Sequence, residues 1–301
     1  MTERLGDLVT EQVDDRYARL DTASVPQLAT ILNDADATVP AAVRAALPQI
    51  VPAIEGVVGR LASGGRLIYV GAGSAGRMGV LDAAECPPTF STPPELVRAV
   101  IAGGPEALLA AKEGVEDDEA AGEAVIDECS VTAADAVVGI SASGRTPYVL
   151  AAVRAARTRG ALTVGLSCNT GTPLSAAADA AIEVLVGPEV LAGSTRLKAG
   201  TAQKLVLNMI STISMIRLGK TYGNLMVDLR VTNAKLRDRA IRIISLITGV
   251  PRSDAEAALD RADLDVKTAI LMADPSADGA DPRQRLAASG GRLREALEAS
   301  G

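Results

Sequence analysis

The chain has 301 residues, 48% of them hydrophobic, and a formal net charge of −7. At roughly 150 residues per domain this is one large or two modest domains, with an aliphatic core, since there is one Phe and no Trp. An acidic chain so poor in aromatics lacks the basic patch and stacking surfaces of a nucleic-acid binder, and the absence of histidine excludes a Ser-His-Asp triad, a His base and a His-ligated zinc.

The N-terminal stretch MTERLGDLVTEQVDD is polar and acidic, unlike a targeting helix. The three cysteines are scattered and form no CxxC, so a reducing, cytoplasmic setting is expected. Residues 25–62 read as helical and end at SGG (63–65). An apolar strand, 67–70, then runs into GAGSAGR (71–77). This loop follows a strand and opens a helix, the context in which GxGxxG has meaning. A dinucleotide site would place an acidic residue at the end of the second strand, whereas Glu95 precedes that strand. A tight turn without a ligand accounts for the same glycines. Pro87 and Pro88 are expected to cut the helix short.

Residues 97–101 read as a second strand, and 105–128 as a helix broken near Gly114. The acidic run 116–119 reads as a solvated helix start. A continuous apolar strand, 136–140, is followed by SASGRTP (141–147) and a helix over 147–159. Thr146 fits an N-cap and Pro147 the first helical position. Hydroxyls of Ser141, Ser143 and Thr146 around that helix N-terminus would hold a phosphate without a lysine; a well-capped helix uses the same residues. After the strand 161–166, SCNTGTP (167–173) repeats the capping pattern without paired serines and reads as structural. A strand at 182–186 and a long helix over 198–219 follow. That helix is apolar on more than one face, which suggests burial against both the sheet and a partner. It is too polar to span a membrane. Beyond 231 only helices are expected, at 232–248, 253–261, 265–273 and 282–299, with a hinge at 249–251.

Short apolar strands alternating with helices indicate an α/β fold with a doubly wound, mostly parallel sheet. The expected division is N-terminal helices over 1–62, the sheet domain over 63–231, and a helical subdomain over 232–301.

The strand–SASGRTP–helix unit resembles the sugar isomerase (SIS) domain, a phosphosugar-binding α/β fold. Four further blocks are more specific: GAGSAGRMGVLDAAECPPTF (71–90), AKEGVEDD (111–118), GPEVLAGSTRLKAGTAQKLVLNMIST (187–212) and NLMVDLRVTNAKLRDRA (224–240). In order and spacing, over about residues 5–275, they resemble the N-acetylmuramic acid 6-phosphate etherase family. The resemblance implies a cytoplasmic, homodimeric lyase with sites near the subunit interface. It would cleave the D-lactyl ether of N-acetylmuramic acid 6-phosphate, giving N-acetylglucosamine 6-phosphate and D-lactate, with no metal or organic cofactor.

By their motifs Glu85 (in AAECPP) and Glu116 (after EGV) carry over as the catalytic pair; Glu85 is expected as general acid and Glu116 as base at C2, with the reverse assignment left open by the sequence. The apolar run before Glu85 would bury it and favour its protonated form; a surface cap is the alternative. Ser141, Ser143 and Thr146 are expected on the phosphate, and Gly73 and Ser74 near the sugar. Lys198 is expected either on an anionic group or in solvent. Glu189 is expected either on sugar hydroxyls or in a structural role. The rivals are an aldose–ketose phosphosugar isomerase and a non-catalytic phosphosugar sensor. A sugar-responsive DNA-binding regulator would need a helix-turn-helix and a basic patch, and neither is visible.

Overall fold

The structure is a computed structural model that describes residues 8–110, 112–275 and 281–299. The start of the expected N-terminal region (1–7), Ala111 of the AKEGVEDD block, and residues 276–280 and 300–301 of the expected helical subdomain lie outside the described residues.

Five strands form one sheet: β1 (Leu67–Gly71), β2 (Val97–Ile101), β3 (Ala136–Ile140), β4 (Leu162–Ser167) and β5 (Ala180–Glu183). Their order is β2-β1-β3-β4-β5 and every pairing is parallel. β5 begins two residues before the expected 182–186. β1 and β3 are buried along their whole length, as near-continuous apolar runs require of a sheet covered on both faces. Each Val or Ile buried this way contributes about 1.5–3 kcal/mol.

Side chains alternate along a strand, which separates the two layers. Ile68, Val70 and Val137 point to the side of α6 (Pro147–Thr158) and meet Val149 and Val153. Tyr69 and Ile140 point the other way, onto Gly79 of α4 (Gly73–Phe90). Leu162, in register with Ala136, lies over Gly56 of α3 (Leu47–Ala62). The sheet is therefore doubly wound. α1 (Val25–Asp36) and α2 (Val39–Ala45) precede α3 and divide the expected 25–62 helix into three.

Two expectations change locally. α4 does not stop before Pro87 and Pro88 but runs through them to Phe90. Each proline removes one backbone donor, yet both sit in the last turn, which Ser91 closes by donating to Pro87 O at 3.0 Å. The expected helix over 105–128 is two 3-10 turns, Pro105–Leu108 and Val115–Asp117, and then α5 (Glu119–Glu128). Gly103, Gly104 and Gly114 take left-handed φ there and break the helix, and Asp118 caps α5 by accepting from Ala121 N at 2.9 Å.

The described residues group into two compact units: those of Met1–Ala84 with Glu95–Ser211, and those of Glu85–Pro94 with Thr212–Gly301. The expected boundary at 231/232 falls inside the second unit, whose core already includes Val227 and Leu229. α7 (Pro173–Ala177) and the start of α8 (Lys198–Arg217) complete the first unit. The second contains α9 (Ala234–Thr248), α10 (Arg252–Arg261), α11 (Val266–Ala273), α12 (Pro282–Ala288) and α13 (Leu293–Glu298). The expected 282–299 helix is thus two, parted where Gly290 and Gly291 take positive φ. Within this unit buried Lys267 donates to the Asp228 carboxylate at 2.7 Å and to the Gly219 and Gly291 carbonyls. Among the described residues no single helix is long and apolar enough to cross a membrane.

One polar cluster sets the register of the two central strands. Asp135, immediately before β3, accepts from Arg66 N, Nε and Nη2 at 2.9, 3.1 and 2.8 Å and from Thr132 N at 2.9 Å. Arg66 immediately precedes β1. Burial pushes the Asp135 carboxyl up, but the hydrogen bonds from Arg66 and Thr132 outweigh it and hold the pKa below the usual range. Its folded pKa is lowered, so its stabilisation is complete above the unfolded value near 3.9 and is lost as pH falls through the folded value. Asp135→Asn is therefore expected to cost roughly 1–3 kcal/mol at neutral pH. The gap from wild type should close in urea melts carried out below about pH 4.

Candidate functional site

The chain leaves β1 towards β2 on one side and leaves β3 towards β4 on the other. Such a switch point opens a crevice at the carboxyl ends of the two strands. A cavity of about 330 Å³ lies there, lined by the loops 72–75 and 141–147, by Glu116 and Asp117, and by Glu11, Thr195 and Gln203. A larger cavity of about 530 Å³, beside Arg16, Tyr17 and Lys198, takes none of the loop residues. We take the smaller one as the site because only it sits where strand ends and helix N-termini converge.

The glycines of the first loop serve close packing. A Cβ on Gly71 would lie 2.7 Å from Gly76 Cα, and one on Gly76 would lie 2.6 Å from Ile101 Cγ1. α4 can begin directly over β1 only without those side chains, and this places Gly73 and Ser74 on the cavity wall.

In the second loop Thr146 stands at the N-cap of α6, but its hydroxyl does not cap the helix. It pairs with Ser141 Oγ at 2.8 Å, and Ser141 Oγ also meets Ser143 Oγ at 3.2 Å. Gly144 N donates to Ser141 Oγ and Arg145 N to Ser143 Oγ. Three hydroxyls thus converge at a helix end that has no side-chain cap, where N–H groups and the dipole favour an anion. Hydroxyls bonded mainly to one another can rotate to donate to phosphate oxygens. Arg145 adds a positive charge to the same wall.

The third loop is structural, as read. Thr172 caps α7 by accepting from Ser175 N at 3.1 Å. Asn169 accepts from Val9 N at 2.7 Å and donates to Thr10 Oγ1 and Ala142 O. Those bonds bring Glu11 to the cavity. Sequence reasoning missed Glu11, Thr195, Gln203 and Arg145 as lining residues. Arg145 carried a signal in its place inside SASGRTP, and Thr195 and Gln203 in theirs inside the 187–212 block; Glu11 carried none.

Of the expected site residues, Gly73, Ser74, Glu116, Ser141, Ser143 and Thr146 share the cavity, while Glu85, Glu189 and Lys198 do not line it. Glu116 is exposed, on the 3-10 turn after β2. Glu85 is also exposed, contrary to the expected burial. The buried stripe of α4 runs through Ala75, Gly79, Asp82, Ala83, Cys86 and Phe90 at helical spacing, and Glu85 falls off it, in the part of the helix that belongs to the second unit. Glu189 is 1% exposed, and its two oxygens accept from Lys198 N at 3.0 Å and Ala199 N at 2.9 Å. It anchors the N-terminus of α8, so its carboxylate is taken up structurally. Lys198 is neither solvated nor at the cavity: its ammonium is buried and donates to Val186 O at 2.6 Å. Burial lowers its pKa, and the Glu189 charge opposes that.

Among the described residues no three His, Cys, Asp or Glu side chains gather as metal ligands. Glu189→Ala should lower the thermal midpoint, since two N–H groups at a buried helix start lose their acceptor at roughly 1–3 kcal/mol. It should leave calorimetric binding of inorganic phosphate unchanged.

Residues 49–157 match the glucokinase regulatory protein N-terminal SIS domain, 116–213 the SIS domain, and 223–277 the C-terminal lid domain of glucokinase regulatory protein. The chain is 59% identical over 297 residues to the N-acetylmuramic acid 6-phosphate etherase of Rubrobacter xylanophilus, covering 99% of this chain and 98% of that protein. It is 55% identical over 300 residues to that of Streptomyces coelicolor, covering 100% and 96%. It is 52% identical over 294 residues to that of Salmonella typhi, covering 98% and 99%. These matches run through both units and take in the loops around the cavity together with Glu85 and Glu116, and on that ground the chain belongs to the N-acetylmuramic acid 6-phosphate etherase family.

Proposed function

We propose that this chain is a carbon–oxygen lyase that cleaves the D-lactyl ether of N-acetylmuramic acid 6-phosphate, giving N-acetylglucosamine 6-phosphate and D-lactate in peptidoglycan recycling. The observation that carries this reading is that a hydroxyl-rich anion site and a motif glutamate, Glu116, line one cavity.

An ether oxygen leaves readily only when the neighbouring carbon has lost a proton and the oxygen gains one. Opening of the sugar ring exposes an aldehyde at C1, which acidifies the C2 proton. Glu116 takes that proton. The C2–H electron pair is first held as an enolate through the C1 carbonyl and then becomes the C2=C3 double bond as the C3–O bond breaks. Glu85, which is assigned by its motif and does not line the cavity of this chain, protonates the departing lactyl oxygen. Water then adds to C3 of the unsaturated aldehyde and C2 regains a proton, so ether plus water becomes sugar plus lactate. Two carboxyl groups suffice for these transfers, which suits a chain without histidine. Ser141, Ser143 and Thr146 hold the phosphate, with Arg145 beside them, and Gly73 and Ser74 approach the sugar.

The reading includes a homodimer working in the cytoplasm. Apolar side chains left exposed on α1 and α3, among them Val25, Leu32 and Val51, support a second copy. Three free, buried cysteines suit a reducing compartment.

Purified chain supplied with N-acetylmuramic acid 6-phosphate should release D-lactate; isomerisation of hexose 6-phosphates without lactate would favour the isomerase rival. Glu116→Ala should slow both lactate release and C2–H exchange in deuterated water by roughly 10²–10⁴-fold. Glu85→Ala should slow lactate release by a similar factor and spare the exchange. Near-normal turnover by Glu85→Ala would overturn the mechanism.

A further inference from the structure

Gln203 lies in α8, close to its start, and lines the cavity. It is 1% exposed, and its amide nitrogen has no hydrogen-bond partner among the described residues. Buried polar groups are nearly always paired, because an unpaired one has lost its water and gained nothing. The helix around it offers no relief: Ala199, Ala202, Val206 and Leu207 are all buried and apolar. A methionine would fill the same volume without the penalty. Packing does not ask for an amide at this position.

We infer that Gln203 is a substrate-binding residue, whose side-chain amide hydrogen-bonds an uncharged group of the amino sugar, a hydroxyl or the acetamido group. Two features favour a neutral group over the phosphate. An amide carries both a donor and an acceptor but no charge, which matches hydroxyl and acetamide. The cavity already provides for an anion elsewhere, at the hydroxyls of 141–146 and Arg145. Glu11, Glu116 and Asp117, also on the wall, are acceptors only when ionised and cannot donate to a sugar oxygen. Outside the phosphate loop and the Ser74 turn, only Gln203 and Thr195 among the cavity's lining side chains supply a neutral donor, and of the two Gln203 is the one whose amide nitrogen is buried without a partner. A group held this way fixes the sugar relative to Glu116. A site that pairs a buried amide with a ligand group also discriminates against ligands without it. The inference rests on the proposed reading of the ligand as an amino-sugar phosphate.

The test compares the full-length chain with Gln203→Met. Calorimetric binding of N-acetylglucosamine 6-phosphate should weaken about tenfold, the worth of one hydrogen bond at its upper range, while inorganic phosphate binds both proteins alike. The thermal midpoint should stay level or rise, because an unpaired buried amide has been removed. A purely structural glutamine would do the reverse: the midpoint would fall and the ligand affinity would hold. Equal affinity of the two proteins for N-acetylglucosamine 6-phosphate overturns the assignment. Should the methionine variant fail to fold, Gln203→Leu, which is also uncharged and apolar and removes the donor, is expected to show the same selective loss and is read the same way. Wild-type chain that binds the sugar phosphate but releases no lactate overturns the proposed reaction and leaves Gln203 to the binding comparison. Lactate release with unchanged binding by the variant overturns Gln203 alone, and a wild type that binds no sugar phosphate overturns both.

Discussion

The fork between Arg66 and Asp135 ties together the amino ends of β1 and β3, the two strands whose carboxyl ends frame the cavity. In a parallel pair the register is one to one, so fixing Leu67 opposite Ala136 also fixes Gly71 opposite Ile140. The two loops then leave the sheet at the same level. The fork lies a strand length away, about 17 Å at 3.3 Å per residue, and acts through register rather than contact. A slip of one residue would turn every side chain to the opposite face. It would set Tyr69 among the residues of α6 and pull Gly71 out from under α4.

Around that frame the buried polar groups of the first unit are nearly all spent on holding parts in place. Glu189 anchors the start of α8, and Asn169 ties the N-terminal segment to the second loop. Asp82 accepts from Tyr69 Oη at 2.8 Å, Asn208 Nδ2 at 2.7 Å and Ser211 Oγ at 3.0 Å, joining β1, α4 and α8. Burial holds its pKa above the usual carboxylate range despite the opposing pull of those three donors. Each of these groups has partners that account for it. The hydroxyls of 141–146 differ, since much of their bonding is to one another, and Gln203 differs further, its amide nitrogen having no partner among the described residues. Where folding has not consumed hydrogen-bonding capacity, a ligand can use it.

Much of this was legible from the chain alone. The central strands β1 and β3, buried throughout, are uninterrupted apolar runs and could be read directly; the edge strands β2 and β5 are only partly buried, and β5 begins two residues before its expected start. The loops could be located because glycine, serine and threonine cluster at the strand ends, although tight turns and helix caps use the same residues, as Thr172 does. What escaped depends on neighbours far away in sequence. Glu11 reaches the cavity because Asn169, 169 − 11 = 158 positions on, fixes the segment that carries it. Glu189 and Lys198 look alike in sequence whether they bind a ligand or close a helix; only their burial, with partners 9 and 12 residues away, decides for the fold. The apolar run before Glu85 left burial and a surface cap both open, and Glu85 is exposed. The period of α4 places the buried stripe elsewhere, and that period, rather than the run, was the better guide.

The charge of the cavity bears on how the reaction runs. Its wall carries three carboxylates, Glu11, Glu116 and Asp117, against one guanidinium, Arg145, a formal balance of 1 − 3 = −2. A phosphosugar bearing a lactyl carboxylate is itself an anion at both ends. Two unit charges about 6 Å apart repel by about 3 kcal/mol at an effective dielectric constant near 20. Hydrogen bonds to a charged group contribute about 1.5–3 kcal/mol each, so three hydroxyls together with helix N–H groups outweigh one such repulsion. The phosphate can therefore be held by short-range donors despite the acidic surroundings. Apart from the 141–146 loop the wall offers single donors, Ser74, Thr195 and Gln203, rather than a second cluster of hydroxyls for the lactyl carboxylate. Once the C3–O bond breaks, lactate is an untethered anion beside carboxylates. The same repulsion that weakens binding of the intact ether then favours departure of lactate, which draws the elimination forward while the phosphate keeps the sugar in place for water to add.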